Sequence, residues 1–296
     1  MTRLVVAATL CCACAATKPA AVAPAAVAAS AAERSAFVDG PAGKLHISDG
    51  GTGGIPVVFV PGLAGDLETW RFQLDHLRKT RRALALELRG HGQSEPPKDG
   101  NWSMEALAQD IYAATRELPR FVLVGHSMAG APLQVFAARH AERLAGLVFV
   151  YAIGSFQRLG IDGVNELVAH EKATSADVLE QRRTIESLLD TNARPATRAR
   201  VLAALPRLPP EGFQALRISL FQFVVPEDLR GTGIPLFSIE VERPRPVSIF
   251  FSALAPEAPR KTLSHVSHWL MLDDPDGFNA ALDGFLATLP GYSEPR

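Results

Sequence analysis

The sequence predicts an α/β fold, with a mostly parallel central sheet and helices on both faces. Short runs such as Val57-Val58-Phe59-Val60, Phe121-Val122-Leu123-Val124 and Leu147-Val148-Phe149-Val150 are apolar without alternation, as strands buried on both faces are. Stretches of helical periodicity lie between them, so the strands are joined by crossovers and run parallel. The runs that end at Val60, Leu88 and Val124 each stop at a glycine-containing turn.

A chain of 296 residues holds one large α/β domain or two small ones. Its formal net charge is −1, with no basic stripe and no aromatic-interleaved basic run, so nothing points to nucleic acid. At 47% hydrophobic residues, the composition supplies a sizeable core. The cysteines are Cys11, Cys12 and Cys14, so the remaining chain has no disulfide framework, thiol nucleophile or cysteine metal site. Residues 1–16 read as a signal peptide: Arg3, an apolar run to Ala16, and small residues at its end. A spanning helix needs about 20 apolar residues, and this run is shorter. Residues 17–35 are mostly Ala, Pro, Val and Ser, which cannot pattern a core and read as a linker. Export to a bacterial periplasm or cell envelope is expected, with a lipid on Cys14 as one form of membrane tether. Ala13 suits lipoprotein processing, whereas Cys11 stands where a leucine-like residue is usual. The alternative is an Ala-rich tail on a cytoplasmic protein.

In chain order, residues 36–48 read as an antiparallel hairpin and 50–54 as a glycine-rich turn. That turn lacks the spacing and the lysine of a phosphate cradle. A strand over 56–60 ends in Pro61-Gly62-Leu63-Ala64-Gly65-Asp66, and a strand over 83–88 ends in Arg89-Gly90-His91-Gly92-Gln93-Ser94. Ser103 is placed to cap a helix over 104–118. A strand over 121–124 leads through Gly125 into a helix that ends near His140, and the strand over 147–151 follows. Between 153 and 233 the rhythm breaks into helical stretches over 164–172, 176–190 and 212–223, separated by prolines. Strand character returns at 234–242 and 260–264, and a last helix spans 276–289.

The stretch Gly125-His126-Ser127-Met128-Ala129-Gly130 places a serine on a sharp strand-to-helix turn with small residues two before and two after it. It resembles the nucleophile elbow G-x-S-x-G of the α/β-hydrolase superfamily, with Ala129 for the last glycine. Pro61-Gly62 resembles that family's His-Gly loop, Arg89-Gly90-His91-Gly92-Gln93-Ser94 its R-G-H-G-x-S turn, and Ser267-His268-Trp269 with Pro275 and Phe278 its closing pattern. The resemblance covers roughly residues 36–290. It implies a core of 36–153 and 234–292, with a helical cap, 154–233, inserted after the strand ending near Tyr151. Phe213, Phe221 and Phe223 of that cap either line an acyl or aromatic pocket or fill the cap's own core.

A serine hydroxyl needs a neutral imidazole beside it and a carboxylate to orient that imidazole. The resemblance implies Ser127 as nucleophile and His268 as base, with His265 as rival. His91 and His126 are read as structural. The family's usual acid position falls on Pro244, so the orienting acid moves to Glu242 at the strand's C-terminal edge, with Glu240 next. An exposed ion pair with Arg243 or Arg245 is the other role open to Glu242. The N–H groups of Leu63 and Met128 are implied as the oxyanion hole. The activity expected is a serine hydrolase of the carboxylesterase kind, cleaving a small to medium ester, thioester or lactone through an acyl-enzyme, with no metal or cofactor. The alternatives are a perhydrolase, lactonase or C–C bond hydrolase with the same triad, or a non-catalytic binding protein on the same fold.

Overall fold

The computed structural model describes residues 33–291 apart from 175–176, 227–228 and 243–247. The expected signal segment with Cys14, and most of the expected linker, lie outside the described residues, as do Arg243, Pro244 and Arg245. An antiparallel hairpin of β1 (Arg34–Asp39) and β2 (Lys44–Gly50) opens the fold. After it come β3 (Val57–Val60), α1 (Arg71–Leu77), β4 (Ala83–Leu86), α2 (Met104–Thr115), β5 (Phe121–His126), α3 (Gly130–His140) and β6 (Leu144–Val150). The helices α4 (Gly160–Thr174), α5 (Val178–Leu188), α6 (Pro195–Ala204) and α7 (Pro210–Gln222) follow. The chain then makes β7 (Leu236–Val241), the short α8 (Phe251–Leu254), β8 (Arg260–Leu263), the short α9 (Leu270–Asp273) and α10 (Pro275–Leu286).

The strands form one sheet in the order β1-β2-β4-β3-β5-β6-β7-β8. β2 pairs antiparallel with both β1 and β4, and every other neighbouring pair is parallel. β3, β4, β5 and β6 are buried along their whole length, which requires cover on both faces. Alternation along β5 shows that cover. Phe121 meets Phe136 of α3, while His126 on the other face meets Trp70, which packs on Phe59 of β3 and Phe278 of α10.

β3 lies between β4 and β5, so successive crossovers leave it in opposite directions. A crevice opens at such a switch point, outside the C-terminal ends of the strands. The register Val60↔Gly125 sets the ends of β3 and β5 side by side. That crevice is where the expected site residues gather.

β1 starts at Arg34, so the sheet reaches into the segment expected to be linker. Backbone pairing of Arg34 with Asp49 and a hydrogen bond from the Ser48 hydroxyl to the Glu33 carboxylate hold it there. Ser103 caps α2 as expected, its hydroxyl accepting from the Ala106 N–H. No helix among the described residues is long and apolar enough to cross a membrane.

The turn after β4 is held by Arg89, which donates to the backbone carbonyls of Asn101 and Ala106. It also grips both carboxylate oxygens of Asp110 on α2 at 2.8 and 2.7 Å, and both side chains are buried. Asp110→Ala leaves this guanidinium without its counter-charge and should destabilise the fold by about 3–5 kcal/mol, read as a lower urea midpoint.

Candidate active site

Ser127 stands at the end of β5 with φ of +53°, in the left-handed region. Its neighbours explain why small residues flank it. A Cβ on Gly125 would lie 2.6 Å from Leu133 Cδ2 and 3.2 Å from Ala129 Cβ. A Cβ on Gly130 would lie 2.2 Å from the Ile153 carbonyl oxygen. Ala129 is therefore a tolerated small residue packed directly over Gly125. The Ile153 N–H donates to the Ser127 carbonyl at 2.9 Å and ties the turn to the end of β6.

His268 sits in the loop after β8, its Nε2 2.8 Å from Ser127 Oγ and placed to accept the hydroxyl proton. The Tyr151 ring stands edge-on to it at 5.3 Å, and that of Trp269 at 5.0 Å. The buried Asp273 carboxylate holds the loop by accepting from the Ser267 N–H at 2.8 Å and from its hydroxyl. The same carboxylate accepts from the Arg194 N–H at the start of α6. His265 is exposed at a left-handed position.

The loop after β3 packs against the serine: a Cβ on Gly62 would lie 3.0 Å from Ser127 Cβ. Its turn closes with the Gly65 N–H donating to the Gly62 carbonyl, and Ala64 takes φ of +57°. The N–H groups of Leu63 and Met128 donate to no backbone acceptor among the described residues. Met128 also opens the segment that becomes α3, whose N-terminal end favours negative charge. Two residues beyond Ala64, the buried Asp66 binds Arg200 of α6 and Arg207, the latter at 3.2 Å. Nothing in the local sequence marked the long-range partners of Asp66 or Asp273: Arg200 and Arg207 lie 134 and 141 residues from Asp66, and Arg194 lies 79 from Asp273.

The expected carboxylates are placed less directly. Glu242 lies just past β7, exposed, with its N–H on the Leu263 carbonyl. Glu240 is buried, accepts from the Ser238 hydroxyl, and has its pKa raised by burial against the hydrogen bonds from Ser238 and Ser252 and the charge of Arg260. Among the described residues, neither hydrogen-bonds His268. In the segment expected to form a cap, Phe213 and Phe223 belong to the main core, while Phe221 packs with Val164 and Val168.

Residues 55–201 match the family described as alpha/beta hydrolase fold. The solved structure of a thermophilic esterase from Thermogutta terrifontis superposes with a TM-score of 0.72 at 22% identity, covering 86% of this chain and 98% of that one. The chain belongs to the α/β-hydrolase superfamily. Among curated relatives, it is 36% identical over 107 residues to the dihydrolipoyllysine-residue acetyltransferase component of the acetoin cleaving system of Pseudomonas putida. That match covers 36% of this chain and 29% of the relative. Epoxide hydrolase 3 of Xenopus tropicalis is 34% identical over 99 residues, covering 32% of this chain and 27% of that protein. The chain thus spans less than a third of the length of either relative.

Two further histidines of this α/β-hydrolase are buried near the site. Burial pushes His91 and His126 down to about 4, against the pull of their hydrogen bonds to backbone carbonyls. Both rings stay neutral in the folded protein over a range where the unfolded chain, with an ordinary value of 6.5, takes up protons. The unfolded state then binds more protons, so stability should fall as pH drops from 6.5 towards 4. The loss is on the order of 3 kcal/mol per histidine. Urea unfolding at pH 7 and at a pH near the lower end of that window measures it.

Proposed function

We propose that this α/β-hydrolase is a serine hydrolase that cleaves a small to medium carboxylic ester, thioester or lactone through an acyl-enzyme. The observation that carries the reading is the 2.8 Å approach of His268 Nε2 to Ser127 Oγ, beside two N–H groups with no backbone acceptor among the described residues. His268 takes the hydroxyl proton as Oγ attacks the substrate carbonyl, and the negative charge passes to the carbonyl oxygen. Leu63 and Met128 N–H groups hold that oxygen, a role in which one lost donor typically costs ~2.7–4 kcal/mol. His268 returns the proton to the leaving group. It then takes a proton from water, whose oxygen attacks the acyl carbon, and gives that proton to Ser127 Oγ as the bond between Oγ and the acyl carbon breaks.

Glu242 is the proposed orienting carboxylate, since it directly follows β7 at the C-terminal edge of the sheet, where Ser127 and His268 also stand. Its exposed side chain is able to turn, whereas Glu240 is already engaged by Ser238.

A fluorophosphonate probe tests the nucleophile. The wild type should be labelled, and Ser127→Ala and His268→Ala should abolish labelling. A folded wild type that resists the probe would leave a binding protein on this fold. Glu242→Gln should lower kcat on a chromogenic ester by about 10²- to 10⁴-fold, as loss of an orienting acid does. An unchanged rate, with a loss in Glu240→Gln instead, would transfer the role to Glu240.

A further inference from the structure

We propose that His126 is a positioning residue for His268: its Nε2–H holds the His268 backbone carbonyl and so fixes where the His268 imidazole stands over Ser127. This rests on the reading of Ser127 and His268 given above. His126 is buried, and its Nε2 lies 2.9 Å from the His268 carbonyl oxygen. A carbonyl only accepts, so Nε2 carries the proton and Nδ1 carries a lone pair. That Nδ1 has no hydrogen-bond partner among the described residues.

A half-satisfied buried imidazole is a poor choice for packing alone. An unpaired buried polar group is destabilising, and a leucine or phenylalanine would fill the space without one. What an imidazole adds at this position is the single donated hydrogen bond. The ring has little room to lend the donor elsewhere. It stands edge-on to Trp70 at 6.5 Å, tilted against Trp269 at 6.0 Å and against His268 itself at 4.8 Å. On its remaining side a Cβ on Gly62 would come within 3.1 Å of Nδ1.

The bond joins residues 142 apart in sequence, and its two ends are next to the reacting groups. His126 is covalently joined to Ser127, so one residue sets the nucleophile by its backbone and the base by its side chain. Asp273 grips the same loop one residue earlier, through Ser267. Between them, these contacts pin the 266–267 and 268–269 peptide units, on either side of the bond that joins Ser267 to His268. A displacement of about 1 Å in such an arrangement can cost 10²-fold in rate.

The test compares His126→Met, which keeps length and loses the donor, with His126→Gln, whose amide N–H lies near the position of Nε2. Both are scored by fluorophosphonate labelling rate and by steady-state kinetics on a chromogenic ester. Labelling rate and kcat should fall about 10- to 100-fold in His126→Met with KM within about twofold, and His126→Gln should recover most of the loss. If circular dichroism shows His126→Met unfolded, His126→Asn replaces it: its donor is too short to reach, and kcat should fall equally. A labelled wild type with donor-bearing and donor-free variants alike in kcat overturns the proposal alone. An unlabelled wild type overturns the serine-hydrolase reading and this proposal with it.

Discussion

The site depends on a serine held in a backbone conformation that non-glycine residues avoid. The left-handed region costs an L-residue roughly 1–2 kcal/mol, and such a residue persists only where its surroundings over-determine it. At Ser127 they do. The Ile153 N–H pulls on its carbonyl, Leu133 and Ala129 close over Gly125, and Gly130 lets the chain pass under Ile153. The result is a hydroxyl lifted clear of the sheet at the N-terminal end of a helix. Among the described residues, the other non-glycine positions with positive φ are Ala64, Tyr151 and His265. Each lies in a loop leaving the C-terminal end of a parallel strand. Backbone strain is thus concentrated along one edge of the sheet, the edge that carries Ser127 and His268.

Much of this edge was legible in the sequence because its rules are local. A turn that crowds its neighbours demands glycine or alanine at fixed offsets, and Gly125 and Ala129 supply them. Parallel strands buried on both faces must be apolar almost throughout, and β3 and β6 are, as is β5 up to Gly125. The placing of His268 beside Ser127 was legible from the residues around each. The buried carboxylates were not. Asp66, Asp110 and Asp273 look like any surface aspartate in the sequence, and their partners lie 134, 21 and 79 residues away. The acid was hardest to read for a related reason. Its usual position holds Pro244, and the choice between Glu242 and Glu240, two and four residues before it, turns on side-chain reach, which one-dimensional spacing does not record.

Polar groups therefore divide into two kinds in this protein. One kind is spent locally: the His91 ring on the Arg89 carbonyl of its own turn and the Ser103 hydroxyl on its own helix. The other kind fastens separate parts of the chain. Asp273 joins the His268 loop to the start of α6, and Asp66 joins the loop bearing Leu63 to Arg200 and Arg207. Both loops that frame Ser127 are consequently tied to the helical segment between β6 and β7.

The Asp66 contacts bear on how that helical segment can be exchanged. A segment grafted from another protein, with its boundaries drawn where the chain leaves β6 and enters β7, would remove both arginines. The carboxylate would stay behind as a buried anion with no counter-charge, a few residues from the turn that holds Leu63. Such a chimera would be damaged in the part of the parent that was left untouched. Residue 66 belongs, in the sense that matters for recombination, to the helices it faces and not to the strand it follows.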